Sequence, residues 1–187
     1  MFTHKKIAAS LIVTALLAAC ATSPENTGAG TAATPIKGPN LGATPSAAML
    51  AAMDISIPPS GAGLPAGSGT VGQGQKVYDA KCQTCHGPKG VGKPADPLVG
   101  GIGSLASGKP MRTVGSYWPY STTLFDYVRR AMPTNAPLTL TNDEVYAVSG
   151  YVLFLNGIIK EDAVMTAQTL PQVRMPNRDG FIDYSRK

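Results

Sequence analysis

The sequence predicts an all-α domain carried on a long unstructured leader and followed by an extended tail. Three observations point there. No stretch of useful length alternates polar and apolar residues at the strand period of two. Segments near residues 121–132 and 141–156 instead repeat apolar residues at the helical period. Gly (21) and Pro (16) make up about a fifth of the 187 residues and are unevenly spread, so an unfolded stretch stands beside a folded one.

The first nineteen residues read as an export signal. Lys5 and Lys6 give a positive start, and Ile7 to Ala19 is an apolar run of thirteen residues. That run is too short to cross a bilayer comfortably but fits the core of a signal peptide. It ends in Leu17-Ala18-Ala19-Cys20, which resembles the bacterial lipobox. The resemblance implies cleavage after residue 19 and lipidation of Cys20. Ala21, rather than Asp, implies a periplasmic protein anchored to the outer membrane of a Gram-negative cell. The alternative is an ordinary signal peptide cut nearby, with Cys20 incidental.

Residues 20–70 are dominated by Ala, Thr, Ser, Gly and Pro. Such a stretch buries too little apolar surface to offset its ordering entropy, so it is read as a flexible tether with a reach of about 35–42 Å. Met49 to Ile57 is its one apolar patch. Folded character is expected over 71–159. Gly72 to Lys81 reads as a helix with Val77 and Ala80 inward and Tyr78 beside them. Residues 87–120 are Gly- and Pro-rich and read as loop. Ser121 or Thr122 can cap a second helix in which Leu124, Tyr127, Val128 and Ala131 share a face, until Pro133 stops it. The third helix carries a capping box, Thr141 with Glu144, and an apolar stripe of Val145, Val148, Val152 and Leu155. Asn156-Gly157 gives it a left-handed stop. Residues 160–187 are expected to form an extension packed at least partly on the domain or on a partner.

The formal charge is +5, and loss of Lys5 and Lys6 leaves +3. The remaining Lys and Arg are scattered, without the basic stripe that a phosphate backbone requires, so no nucleic acid partner is expected.

The chemistry lies in Cys82-Gln83-Thr84-Cys85-His86. C-x-x-C-H is the attachment signature of haem c. Two thiols at i and i+3 on a helical turn can add to both vinyl groups along one haem edge. The adjacent His86 then presents its imidazole to the iron. Competing readings are weaker. A redox C-x-x-C needs a βαβ setting, and a zinc site needs a second pair of ligands that this chain lacks. A disulfide leaves His86 unexplained. The chain has two His, and His4 leaves with the signal segment, so the sixth iron ligand must be Met, Lys, water or nothing. Met132, at the end of the second helix before Pro133, is the favoured ligand, with Met111 and Met175 as alternatives. Met/His ligation describes a carrier rather than a catalyst.

Residues 72–158 resemble the class I cytochrome c family, in which a few helices surround one covalent haem and the first and last cross. Gly74, Tyr78 and Tyr151 match that crossing. The segment Asp96-Pro97-Leu98-Val99-Gly100 resembles the family loop whose backbone carbonyl accepts the Nδ1 proton of the haem His, which leaves the Asp96 and Pro97 carbonyls as candidates. A narrower resemblance runs through Met111 to Tyr120, Thr123 to Pro133, Asp143 to Ala147 and Arg174 to Phe181. These are similar to cytochrome subunits of periplasmic sulfite and sulfur dehydrogenases. That resemblance implies Met132 as axial ligand and places Arg112 and Tyr117-Trp118 near the haem propionates. It also implies electrons taken from a molybdenum-cofactor dehydrogenase subunit and passed to a downstream cytochrome or oxidase. On this reading the chain is not an enzyme by itself. The alternatives are a carrier for another periplasmic dehydrogenase, or a haem enzyme or sensor with an open distal site. The lack of a second His in the mature chain weighs against the latter.

Overall fold

Residues 42–182 and Ser185 are described in a computed structural model. The signal segment and Cys20 lie outside the described residues. The chain divides after Thr44, and the folded domain is the unit that begins at Pro45.

Helices α1 (Ala47–Met53), α2 (Val71–Lys81), α3 (Gln83–His86), α4 (Val114–Tyr117), α5 (Ser121–Ala131) and α6 (Asn142–Leu155) are joined by two short strands, β1 (Ser68–Thr70) and β2 (Val164–Thr166). The centre is the crossing of α2 over α6. A Cβ on Gly74 would fall onto the carbonyl of Ala147, so only glycine lets the two backbones approach this closely. Tyr78 and Tyr151 fill the flank of the crossing, with ring centroids 5.4 Å apart. Lys81 reaches Glu144 at 2.7 Å across the same interface. That ammonium, with the N–H of Thr141, holds the Glu144 carboxyl below the usual carboxylate range.

The capping box of α6 forms as the sequence implies: the Thr141 hydroxyl accepts from the Glu144 N–H, and the Glu144 carboxylate accepts from the Thr141 N–H. Gly157, at positive φ, ends the helix. Burial differs from the single stripe expected. Every residue from Val145 to Leu153 is buried, because α2, α5 and both strands pack on different faces of α6. In α2, Val71, Gly74 and Tyr78 are buried, Val77 only partly, and Ala80 is exposed. In α5 it is Phe125 that fills the core, with its ring centroid 4.5 Å from that of Tyr146, while Tyr127 turns outward.

Of the tether expected over 20–70, residues 20–41 lie outside the described residues, and the rest is not all tether. Residues 55–70 are part of the folded unit. Ile57 is buried and its N–H donates to Asp126 Oδ1 at 2.9 Å. Arg129 donates to the Ile55 carbonyl, Tyr146 to that of Pro65, and the Ser68 N–H to Asp143. The segment has few apolar residues, but one buried Ile and a row of backbone bonds suffice once a surface exists to receive them. β1 pairs antiparallel with β2, Gly69 opposite Met165, which adds a small sheet to the all-α frame. Strands of three residues are too short to show a periodicity. The tail likewise packs on the domain, with Met165, Leu170 and Met175 buried in the core.

Ser121 and Thr122 do not cap α5. The N-cap position falls on Tyr120, without a side-chain bond. Instead the Ser121 hydroxyl donates to the Leu170 carbonyl at 2.6 Å, and the Thr122 hydroxyl to that of Pro59 at 3.2 Å. One helix start therefore holds both flanking segments.

Burial raises the Asp126 carboxyl, but bonds from Arg130 and the Ile57 N–H outweigh it and leave the pKa below the usual range. A depressed carboxylate contributes stability above its unfolded pKa of about 3.9 that is lost as pH falls through the folded value. Asp126→Ala is expected to lower the unfolding free energy by about 2 kcal/mol near neutral pH, because a buried N–H loses its acceptor. Denaturant titration measures the loss, and limited proteolysis should show earlier cleavage within residues 54–66.

Candidate haem centre

The crossing delivers the C-x-x-C-H segment to one place. α2 ends at Lys81, Cys82 turns the chain, and α3 carries Gln83 to His86. Cys82 and Cys85 are both free thiols. Cys82 packs partly buried against the core and Cys85 is exposed. Burial pushes the Cys82 thiol up to about 11, so it is held protonated at neutral pH.

Backbone bonds wrap the following loop around the motif. Gly92 N–H donates to the His86 carbonyl and Ala95 N–H to that of Cys85, both at 2.8 Å. Leu98 N–H donates to Gly90, also at 2.8 Å, and Gly87 N–H to Gln83. Gly87 has φ of +71°, and a Cβ there would strike the Gly92 carbonyl, so this turn requires glycine. The loop brings the Asp96 carbonyl to 3.1 Å from His86 Nδ1. A carbonyl only accepts, so Nδ1 carries the proton and the Nε2 lone pair is left for a ligand bond. Of the two carbonyls left open by the sequence, it is that of Asp96.

Two supporting contacts were not legible in the sequence. Tyr78 donates its hydroxyl to the Gly87 carbonyl at 2.8 Å, immediately after His86. Burial, ahead of the neighbouring Cys82, pushes its phenol up to about 12. Asn156, read only as a helix stop, donates from Nδ2 to Leu98 at 3.1 Å and to Val152 at 2.9 Å. Its Oδ1 accepts from the Gly100 N–H. The last helix thus fixes the loop that fixes the imidazole. A helix-terminal Asn gives no sign of this, because its partner lies 58 residues away.

Met132 caps α5 in extended conformation, and its N–H donates to Val128. It is half-buried, with the Thr134 hydroxyl 3.8 Å from its sulfur. Met175 is sealed in the core, at 1 % exposure. Met111 is exposed and packs on Gly101, with its backbone held by Ser104 and Ser116. Trp118 stacks edge-on against Tyr127 at 5.6 Å, and Arg112 lies over the Tyr117 ring at 5.7 Å.

This arrangement has counterparts among known proteins. The family model described as "Cytochrome C oxidase, cbb3-type, subunit III" matches residues 69–152. No curated protein matches the chain. A solved structure, the sulfane dehydrogenase SoxCD from Paracoccus pantotrophus, has 38% sequence identity with it. The match covers 79% of this chain and 73% of that one, with a TM-score of 0.73. The chain belongs to the cytochrome c family. The family implies haem c, and the motif residues of this cytochrome fit it: two unpaired thiols one turn apart and an imidazole with Nε2 freed. Among the described residues no group of three or more His, Cys, Asp or Glu could hold a metal ion. No described helix is long and apolar enough to cross a membrane.

Tyr78→Phe removes the bond to the Gly87 carbonyl while keeping the ring. It is expected to cost about 1–2 kcal/mol of stability. It should also remove from the ultraviolet pH titration one phenol that ionises only near pH 12.

Proposed function

We propose that this cytochrome is a single-haem electron carrier in which Cys82 and Cys85 bind the haem through thioethers. His86 is the proximal iron ligand and Met132 the distal one. The observation that carries the reading is the Asp96 carbonyl 3.1 Å from His86 Nδ1, which sets one tautomer and one ring orientation beside two free thiols. Bound there, haem c would supply a one-electron couple, whose potential ligation by a Met and a His would raise.

The placement of the methionines supports Met132. Met175 is committed to the core and Met165 to β2, whereas Met132 sits half-buried where the chain leaves α5. The Thr134 hydroxyl at its sulfur orients the thioether.

The electron donor on this reading is a molybdenum-cofactor subunit that oxidises sulfite or another sulfur compound. The similarity to a sulfane dehydrogenase structure supports it, since it extends well beyond the residues 69–152 that the family model matches. The acceptor is a downstream periplasmic cytochrome or oxidase. Cys20 is the lipid attachment site.

Met132→Ala should abolish the sulfur–iron charge-transfer band and lower the midpoint potential, read by spectroelectrochemistry. An unchanged spectrum transfers the assignment to Met111 or Met175. Cys82→Ala with Cys85→Ala should yield protein without haem staining on a denaturing gel. Cys20→Ser should move the holoprotein from the membrane fraction to the soluble one. Failure of the holoprotein to take electrons from sulfite through a purified molybdenum subunit removes the donor assignment while leaving the carrier role.

A further inference from the structure

The side chain of Asn156 joins the end of α6, the loop that carries the Asp96 carbonyl, and the start of α4. Its amide is used at both ends. Nδ2 donates to the carbonyls of Leu98 and Val152, at 3.1 and 2.9 Å, and Oδ1 accepts the Gly100 N–H at 3.3 Å. α4 closes on the same loop residues. The Val114 N–H donates to the Leu98 carbonyl at 3.3 Å, and the Thr113 hydroxyl to that of Gly100 at 2.7 Å. Gly115 seats α4 directly on the amide, since a Cβ there would fall onto Asn156 Oδ1.

These bonds bear on His86 because the intervening span is short. The Ala95 N–H is tied to the Cys85 carbonyl, and the Leu98 N–H to that of Gly90. Asp96 and Pro97 lie between those two anchors, and the Pro97 ring leaves its φ little freedom. Gly90 holds the nitrogen of Leu98, while Asn156 and Val114 hold its carbonyl. The direction in which the chain leaves Leu98 is thereby set, and with it the Asp96 carbonyl 3.1 Å from His86 Nδ1. A carbonyl on Nδ1 fixes the orientation of an imidazole and raises its basicity as a ligand. Asn156 lies beyond residues 69–152, which the family model matches, so this brace stands outside the matched span.

We propose that Asn156 is a positioning residue for the proximal ligand. Through Leu98 and Gly100 it holds the Asp96 carbonyl on His86 Nδ1 and so tunes the reduction potential. This rests on the carrier reading, in which His86 ligates the iron, and names a residue that controls that ligand from the last helix. The amide is required, not its bulk. A carboxylate would turn an oxygen towards two carbonyls, and an apolar side chain would leave the Gly100 N–H without its acceptor.

The test compares two full-length holoproteins. Asn156→Leu keeps the size of the side chain and removes both ends of the amide. Tyr146→Phe removes a bond from the same helix to the Pro65 carbonyl. Both should lose stability in denaturant titration. NMR of the reduced holoprotein reads exchange of the His86 Nδ1 proton with water, and spectroelectrochemistry reads the midpoint potential. In Asn156→Leu the exchange should quicken about tenfold. The potential should rise, because a less basic imidazole stabilises ferric iron less. Tyr146→Phe should change neither. Gly115→Ala presses on the amide from α4 without removing it. It should move both readings in the same direction by less, and it carries the test if Asn156→Leu does not fold. Unchanged exchange and potential in Asn156→Leu overturn the proposal and leave Asn156 a brace of the fold alone. Equal shifts in Tyr146→Phe overturn it too, because general loosening of α6 then suffices. A protein exported without haem sinks the carrier reading, and the ring-nitrogen shifts of His86 in that protein still decide the positioning. A single Nδ1-protonated tautomer that becomes a mixture in Asn156→Leu supports it, and a mixture in both overturns it.

Discussion

The contact between Gly74 and the backbone of Ala147 is the constraint on which the rest of the molecule depends. It brings α2 and α6 together more closely than any side chain allows. Tyr78, one turn further along α2, then reaches Tyr151 on one side and the Gly87 carbonyl on the other. The end of α2, and with it Cys82, is set relative to the last helix. Asn156 at the far end of that helix returns to fix the loop at Leu98 and Gly100. The His86 imidazole, oriented by the Asp96 carbonyl, is therefore held between two ends of one helix crossing. A redox centre benefits from such a frame, because a ligand that cannot reorient contributes little reorganisation when charge changes.

The flanking segments extend this frame rather than hang from it. Ser121 and Thr122 use their hydroxyls on Leu170 and Pro59 instead of on their own helix. Asp126 serves Arg130 and the Ile57 N–H at once. The start of α5 thus ties together chain from before α2 and chain from after α6. Thr141 shows the opposite choice: its hydroxyl serves its own helix in a full capping box.

The division between haem-carrying core and added segments has a functional sense. The core, which the family model covers, holds Cys82, Cys85, His86 and Met132. The tail lays Arg178 over the Tyr120 ring and Phe181 against Tyr117. A generic carrier needs only an accessible redox centre, whereas a subunit with a fixed partner needs a shaped surface. The similarity to a sulfane dehydrogenase structure runs over most of the chain.

The helices α2, α5 and α6, the capping box, the glycine stop at Gly157 and the C-x-x-C-H spacing are all written locally in the sequence. Each depends on residues within a turn or two, and local geometry is what periodicity and capping chemistry report. The packing of residues 55–70 was not legible, because a Gly- and Pro-rich stretch with a single buried Ile looks like a linker until its carbonyls meet Thr122, Arg129 and Tyr146. Nor were the exposure of Tyr127, the burial of Phe125 and Met175, or the choice of the Asp96 carbonyl over that of Pro97. By itself the sequence determined which residues could make helices and offer ligands. Only the tertiary structure decided which faces were covered and which polar groups met, because those contacts join residues tens of positions apart and no local signal encodes them.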